Sequence, residues 1–182
     1  MRQSKKEITD RSVVEGLLAD CRVGRLATIN GDGWPVIKPL NFAWEDGKVY
    51  FHSAREGEKI DDISRSPKVC FEVDLPVAYV RAKEQPCQAE YLYRSVIIKG
   101  RAHIVTDNKE RRRGLELLMR KYQPETRSWD FPEEKLALTA IVRIDPEEVT
   151  GKEDLGKGSL RARALELIGR GGLDTNRIID RD

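Results

Sequence analysis

Histidine is nearly missing from this chain: His52 and His103 are the only two among 182 residues. With so few imidazoles, and no carboxylate cluster at ligand spacing, no resident metal is expected. Cysteine is scarce too. Cys21, Cys70 and Cys87 are odd in number and widely separated, which excludes a zinc-ribbon spacing and fits reduced thiols in a cytoplasmic protein. Cys21 and Cys70 lie among apolar residues and read as small core fillers, whereas Cys87, after Pro86 in a polar stretch, reads as exposed. No window approaches the about 18 consecutive apolar residues of a membrane span. The opening Met1–Glu7 has no apolar run behind it, so neither a membrane partner nor a signal peptide is expected. Charge of one sign is also lacking: 33 Lys and Arg face 31 Asp and Glu, a net +2, which argues against a nucleic-acid binder. The run Lys109-Glu110-Arg111-Arg112-Arg113 reads as the solvated face of a helix.

What is present is a series of short strands punctuated by turns. Thr9 or Asp10 can cap a helix that places Val13, Val14, Leu17, Leu18 and Cys21 on one face. Val23 to Ile29 reads as a strand, and Asn30-Gly31-Asp32-Gly33 as a turn with two glycines for positive φ. Trp34 to Trp44 reads as a second strand in which Pro35 and Pro39 remove two ladder donors, so it is an edge, bulged, or facing a ligand. Trp34 and Trp44 are expected to pack into the core. After Glu45-Asp46-Gly47-Lys48 a third strand ends near His52, and a short helix covers Lys59 to Arg65.

Beyond Pro67 a fourth strand covers Val69 to Val73, and Leu75 to Glu90, with Pro76 and Pro86, reads as a long loop. A strand over Tyr91 to Val105 follows. Asn108 or Asp107 caps a helix with Leu115, Leu118, Met119 and Tyr122 inward, and Gln123 to Glu134 reads as a loop. Leu136 to Ile144 is the last clear strand. From Gly151 the composition shifts: glycines at 151, 156, 158, 169, 171 and 172 surround one short amphipathic segment, read as an appended helix on a flexible tether. Two domains are expected, a barrel over 1–152 and a tail over 153–182. The fold class is mainly β: a six-stranded antiparallel split barrel of Greek-key type with peripheral α-helices.

One junction carries more chemistry than the rest. Ser53-Ala54-Arg55-Glu56-Gly57-Glu58-Lys59 lies where the third strand hands over to a helix. A hydroxyl, a glycine and a lysine at a helix N-terminus are what a phosphate requires: exposed N–H groups, the positive end of the helix dipole and a fixed cation. Ser53 also suits an N-cap, and Lys59 also suits a solvated helix face. His52 alternates with strand neighbours that face the core, and a lone histidine there reads first as structural. His103 reads as structural.

Val23-Gly24-Arg25-Leu26-Ala27-Thr28, Asp32-Gly33-Trp34-Pro35, Pro39-Leu40-Asn41-Phe42, Tyr50-Phe51-His52-Ser53-Ala54 and Gly57-Glu58-Lys59 follow in order. With Tyr93-Arg94-Ser95-Val96, Gly100-Arg101-Ala102 and Thr150-Gly151-Lys152, this ordered set resembles the FMN-binding split-barrel proteins related to pyridoxamine 5'-phosphate oxidase, in their nitroimidazole-reductase-like branch. The resemblance covers about residues 8 to 152. It implies a homodimer with FMN in clefts between subunits. It also implies Ser53 and Lys59 on the FMN phosphate with the Gly57 backbone close by, strand residues Val36 to Leu40 beside the isoalloxazine ring mainly through their backbone groups, and Lys38, Pro39, Leu40 and Asn41 among the cofactor-binding residues. Arg94 and Ser95 would approach from a later strand. In that branch a histidine of this motif lies at the cofactor site, which makes His52 a cofactor-binding candidate and the candidate catalytic residue. The oxidase branch carries Ser-Arg-Lys where this chain has Gly57-Glu58-Lys59; Glu58 removes a cation and argues against a full pyridoxamine-phosphate oxidase. The expected function is a flavin-dependent oxidoreductase acting on a small organic substrate, a nitro compound being one candidate. The alternative is a non-catalytic flavin or haem binding or sensing protein.

Overall fold

The computed structural model describes residues 4–126, 129–171 and 177–180. Met1–Gln3 and the tail glycine Gly172, both part of the expectations above, lie outside the described residues. Strands β1 (Glu7–Ile8), β2 (Gly24–Ile29), β3 (Pro35–Leu40), β4 (Ala43–Glu45), β5 (Lys48–Ala54), β6 (Lys68–Val80), β7 (Glu90–Ile104), β8 (Thr139–Asp154) and β9 (Ile178–Ile179) form the sheet. Helices α1 (Arg11–Asp20), α2 (Glu58–Arg65), α3 (Asn108–Tyr122), α4 (Glu133–Leu138) and α5 (Gly158–Gly169) occupy connections and the tail. The strand order is β3-β2-β6-β7-β8-β5-β4, with β1 added to β8 and β9 to β6. Every pairing with a described register is antiparallel except β6 with β9. The mainly β, antiparallel class with peripheral helices is therefore as expected, with nine strands rather than six among the described residues. No helix among the described residues is long and apolar enough to cross a membrane.

The chain divides into two compact units, and β6, β7 and β8 contribute residues to both. The first comprises residues 1–17, 74–96 and 150–182. Its core joins Val77, Ala78, Val80, Leu92 and Leu155 to Leu160 and Ala164 of α5 and Ile179 of β9. The tail, expected as a tethered helix, thus supplies core residues of its own unit: Leu160 and Ala164 lie four apart and so on one helix face. Ion pairs tie the same unit: Arg94 Nε donates to the half-buried Glu153 at 2.9 Å, and Lys6 pairs with Asp154.

The second unit comprises residues 18–73 and 97–149. Ala43, Tyr50, Val105, Leu117, Leu118 and Ile141 form one of its clusters, against which Leu115 and Tyr122 pack. Val49, Tyr50 and Phe51 are buried in succession, because β5 is covered on both faces; a run of that kind cannot alternate. Asp107 caps α3, accepting from Glu110 N at 2.8 Å, and Asp10 accepts from Ser12 N at 2.9 Å at the start of α1, each choosing between the two caps left open.

Several expectations are corrected. Trp34 to Trp44 is two strands, β3 and β4, rather than one, with β3 at the edge of the order as its prolines require. Trp34 is 70% exposed and not a core residue, because it sits in the β2–β3 hairpin turn. There Asn30 Oδ1 accepts from Trp34 N at 2.8 Å, and of the two turn glycines only Gly33 takes a positive φ. Leu75 to Val80 belongs to β6, not to a loop. Val69, Phe71, Val73, Leu75 and Val77 alternate inward, and Pro76 takes an outward position where one lost donor is tolerated. Leu136 ends up in α4, whose last turn Arg111 holds by donating to Leu136 O and, at 3.0 Å, to Thr139 O.

Candidate functional site

The corner where β5 gives way to α2 is built by one backbone feature and two lysines. Gly57 caps α2 with φ 115 and ψ 165, a region that essentially only glycine occupies. A Cβ there would meet nothing within 4 Å, so conformation rather than space selects glycine. Gly57 O accepts from Ile60 N at 2.9 Å and Asp61 N at 3.1 Å, and no side chain caps the helix. Ser53, offered above as an N-cap, is instead a half-buried strand residue opposite Ala140 of β8.

Lys59 emerges from the first turn of α2 with its Nζ 5.7 Å from the Phe51 ring centroid. Partial burial, and then the positive charge of Lys38, hold its ammonium below the ordinary lysine value. Among the described residues no carboxylate lies within ion-pair distance of it. Lys38 is the contrary case. Its Nζ lies 3.1 Å from Asp62, 3.1 Å from the Thr28 hydroxyl and 3.2 Å from Glu58, with the side chain 16% exposed.

Asp62 anchors this group. It is 1% exposed and accepts from Thr28 Oγ1 at 2.7 Å and from Arg65 Nη1 at 3.3 Å. Burial pushes its carboxyl upward, but the Thr28 hydroxyl and the Lys38 and Arg65 charges outweigh it and leave the group below the ordinary 3.8. Asp62 and Thr28 were missed in the sequence. The available signal was positional: Thr28 alternates with Leu26 on the inward side of β2, and Asp62 sits between Ile60 and Ile63 on the buried face of α2.

The other expected site residues are distributed as follows. Lys38, Pro39 and Leu40 lie on β3, with Pro39 exposed and Leu40 buried, and Asn41 is exposed in the connection to β4. His52 is exposed on β5, opposite Ile141. These residues, with Ser53, Gly57 and Lys59, belong to the second unit. Arg94 and Ser95 lie on β7 in the first, where Arg94 is committed to Glu153. No group of three or more His, Cys, Asp or Glu among the described residues can hold a metal ion.

A half-buried cation without an anion, beside a second cation and at an uncapped helix N-terminus, is chemically suited to a phosphate. A candidate 5-nitroimidazole antibiotic resistance protein from Bacteroides thetaiotaomicron superposes with a TM-score of 0.71 at 23% identity, covering 81% of this chain and 86% of that one. A flavocytochrome from Azotobacter vinelandii reaches 0.76 at 19% identity, covering 90% and 77%. An FAD- and haem-binding protein from Mycobacterium smegmatis reaches 0.72 at 20%, covering 92% and 80%. At these identities the likeness is one of fold. No curated protein matches the chain. The model of the pyridoxamine 5'-phosphate oxidase family, however, matches residues 10–153, a span that contains the whole β5–α2 corner. By that match the chain belongs to the pyridoxamine 5'-phosphate oxidase family.

Proposed function

We propose that this protein binds FMN by its phosphate at the β5–α2 corner and serves as a flavin-dependent oxidoreductase for a small organic substrate, nitro compounds being the first class to test. The observation that carries the reading is Lys59: a half-buried ammonium with no carboxylate within ion-pair distance among the described residues, the second residue of a helix capped by Gly57 without a side-chain cap. Ser53 would add a hydroxyl donor, and the β3 backbone from Val36 to Leu40 would run beside the ring system, with the Lys38 side chain directed to the phosphate corner. His52, exposed on β5, is the residue available to a substrate proton. When bound, the flavin would carry the electrons, while the chain supplies binding, orientation and electrostatics.

The proposed assembly is a homodimer with the cofactor at the subunit interface. Ile37 at 66% exposed, with Trp34 and Ile29 on the same hairpin, gives the apolar surface that a second copy would cover. A second reading, a flavin and haem binder without turnover, draws on the likeness to the flavocytochrome and to the FAD- and haem-binding protein. An absorption spectrum of the purified protein, with mass spectrometry of whatever denaturation releases, separates the two. Flavin bands that bleach with a nicotinamide donor and return with a nitro compound support the oxidoreductase. A Soret band, or a flavin that never turns over, supports the binder. A colourless protein that takes up no added FMN removes both.

A further inference from the structure

Resting on the flavin-phosphate reading, we propose that Glu58 is an internal anion that an incoming flavin phosphate displaces from Lys38, so that Glu58 sets how well the corner accepts a doubly charged phosphate monoester. Three oxygens surround the Lys38 ammonium: Thr28 Oγ1 and Asp62 Oδ2 accept hydrogen bonds from it at 3.1 Å each, and Glu58 Oε2 forms an ion pair with it at 3.2 Å. An ammonium has three donors, so a phosphate gains the third only where the Glu58 carboxylate now sits.

The three are not equally replaceable. Asp62 is buried, and Thr28 and Arg65 hold its carboxylate as well. Its departure would leave a buried charge unpaired. Glu58 has a side chain 54% exposed, and exposed ion pairs contribute little. It is also the first residue of α2, so its carboxylate sits where the helix dipole favours an anion. Within the consecutive residues Gly57-Glu58-Lys59, the corner therefore presents one cation that has no anion and one anion already seated on the other cation. Asp62 fixes where Lys38 points, and Glu58 decides whether Lys38 is free to receive a ligand.

The consequence is a charge preference. A phosphate monoester carries close to two negative charges at neutral pH, whereas each phosphate of the FAD bridge carries one. Repulsion from Glu58 scales with that charge, so it acts more strongly on FMN than on FAD, and not on riboflavin.

The test is equilibrium binding of FMN, FAD and riboflavin to the full chain by flavin fluorescence, in the wild type and in Glu58→Gln, Glu56→Gln and Lys59→Ala. Glu56 is an exposed acid two residues away with no ion pair among the described residues, and it controls for net charge. We expect Glu58→Gln to tighten FMN about tenfold and FAD about threefold. Riboflavin is expected unchanged in Glu58→Gln, and all three ligands unchanged in Glu56→Gln. FMN affinity in Glu58→Gln no better than in Glu56→Gln overturns the proposal, as does an equal gain for riboflavin. If Lys59→Ala weakens FMN while Glu58→Gln fails to tighten it, only the Glu58 proposal falls. If Lys59→Ala leaves FMN unchanged, the phosphate lies elsewhere and both readings fall.

Discussion

Thr28 donates its hydroxyl to Asp62 at 2.7 Å, and both side chains are buried. The pair ties the second strand to the helix after the fifth and holds Lys38 in place. Removing the carboxylate's charge in Asp62→Asn leaves Lys38 and Arg65 without their buried partner, and about 2–3 kcal/mol of stability should be lost. The pH dependence has a definite sign. The folded carboxyl lies below the ordinary 3.8, so its stabilisation is complete above that value and is lost as pH falls through the lower folded one. Urea midpoints across the acid range should therefore fall more steeply in the wild type than in Asp62→Asn. Parallel curves would refute this.

Lys121 changes stability with pH in the same direction, but in the alkaline range. Its Nζ lies 3.6 Å from the Phe42 ring centroid and donates to Leu18 O at 3.0 Å. Burial pushes the ammonium down from 10.5 to about 8. Between those values the unfolded chain holds a proton that the folded chain releases, so stability rises with pH through this window. Compared with Lys121→Met, the wild type should gain stability from the lower to the upper end of it; a constant difference between the two midpoints would contradict the assignment.

Gly24 is required by space. A Cβ at this position would fall 2.1 Å from Phe71 Cζ and 3.1 Å from Phe42 Cδ1, and those rings already form an edge-to-face pair at 4.9 Å. Gly24→Ala should destabilise the protein by about 3 kcal/mol, at the upper end of overpacking. Chemical denaturation measures it, and a change within about 0.5 kcal/mol, typical of a surface site, would show that the rings yield.

Leu160 tests whether the tail is structural. It is buried with Leu155 and Ala164, so Leu160→Ala should lose about 2–4 kcal/mol. The exposed Leu165 is the control, and Leu165→Ala should stay within about 0.5 kcal/mol. Equal effects would mean that α5 contributes no core.

Much of this architecture was legible because alternation and turn chemistry are local. The Asn30–Gly33 turn, the reading of the proline-bearing β3 as an edge, bulged or ligand-facing strand, and the narrowing of the α3 cap to Asp107 or Asn108 all follow from neighbouring residues. What escaped depended on partners distant in sequence. Pro76 reads as a breaker until Val69, Phe71, Val73, Leu75 and Val77 are seen as the alternating buried positions of a single long strand. The tail reads as tethered until Val80 and Leu92 are found against Leu160. At the candidate site, Gly57 and Lys59 stood out by type and spacing. Asp62 did not, because a carboxylate on a short charged helix has no local mark of burial; only Thr28 and Lys38, contributed by two earlier strands, make it one.

The central claim is that Lys59 holds the flavin phosphate, and the difference between FMN and riboflavin isolates that phosphate. Calorimetric titration of wild type and Lys59→Ala with both ligands is the most direct measurement. Loss of a charge-assisted contact, about 1.5–3 kcal/mol, should weaken FMN roughly tenfold to a hundredfold while leaving riboflavin unchanged. Equal FMN affinity in the two proteins would contradict the account.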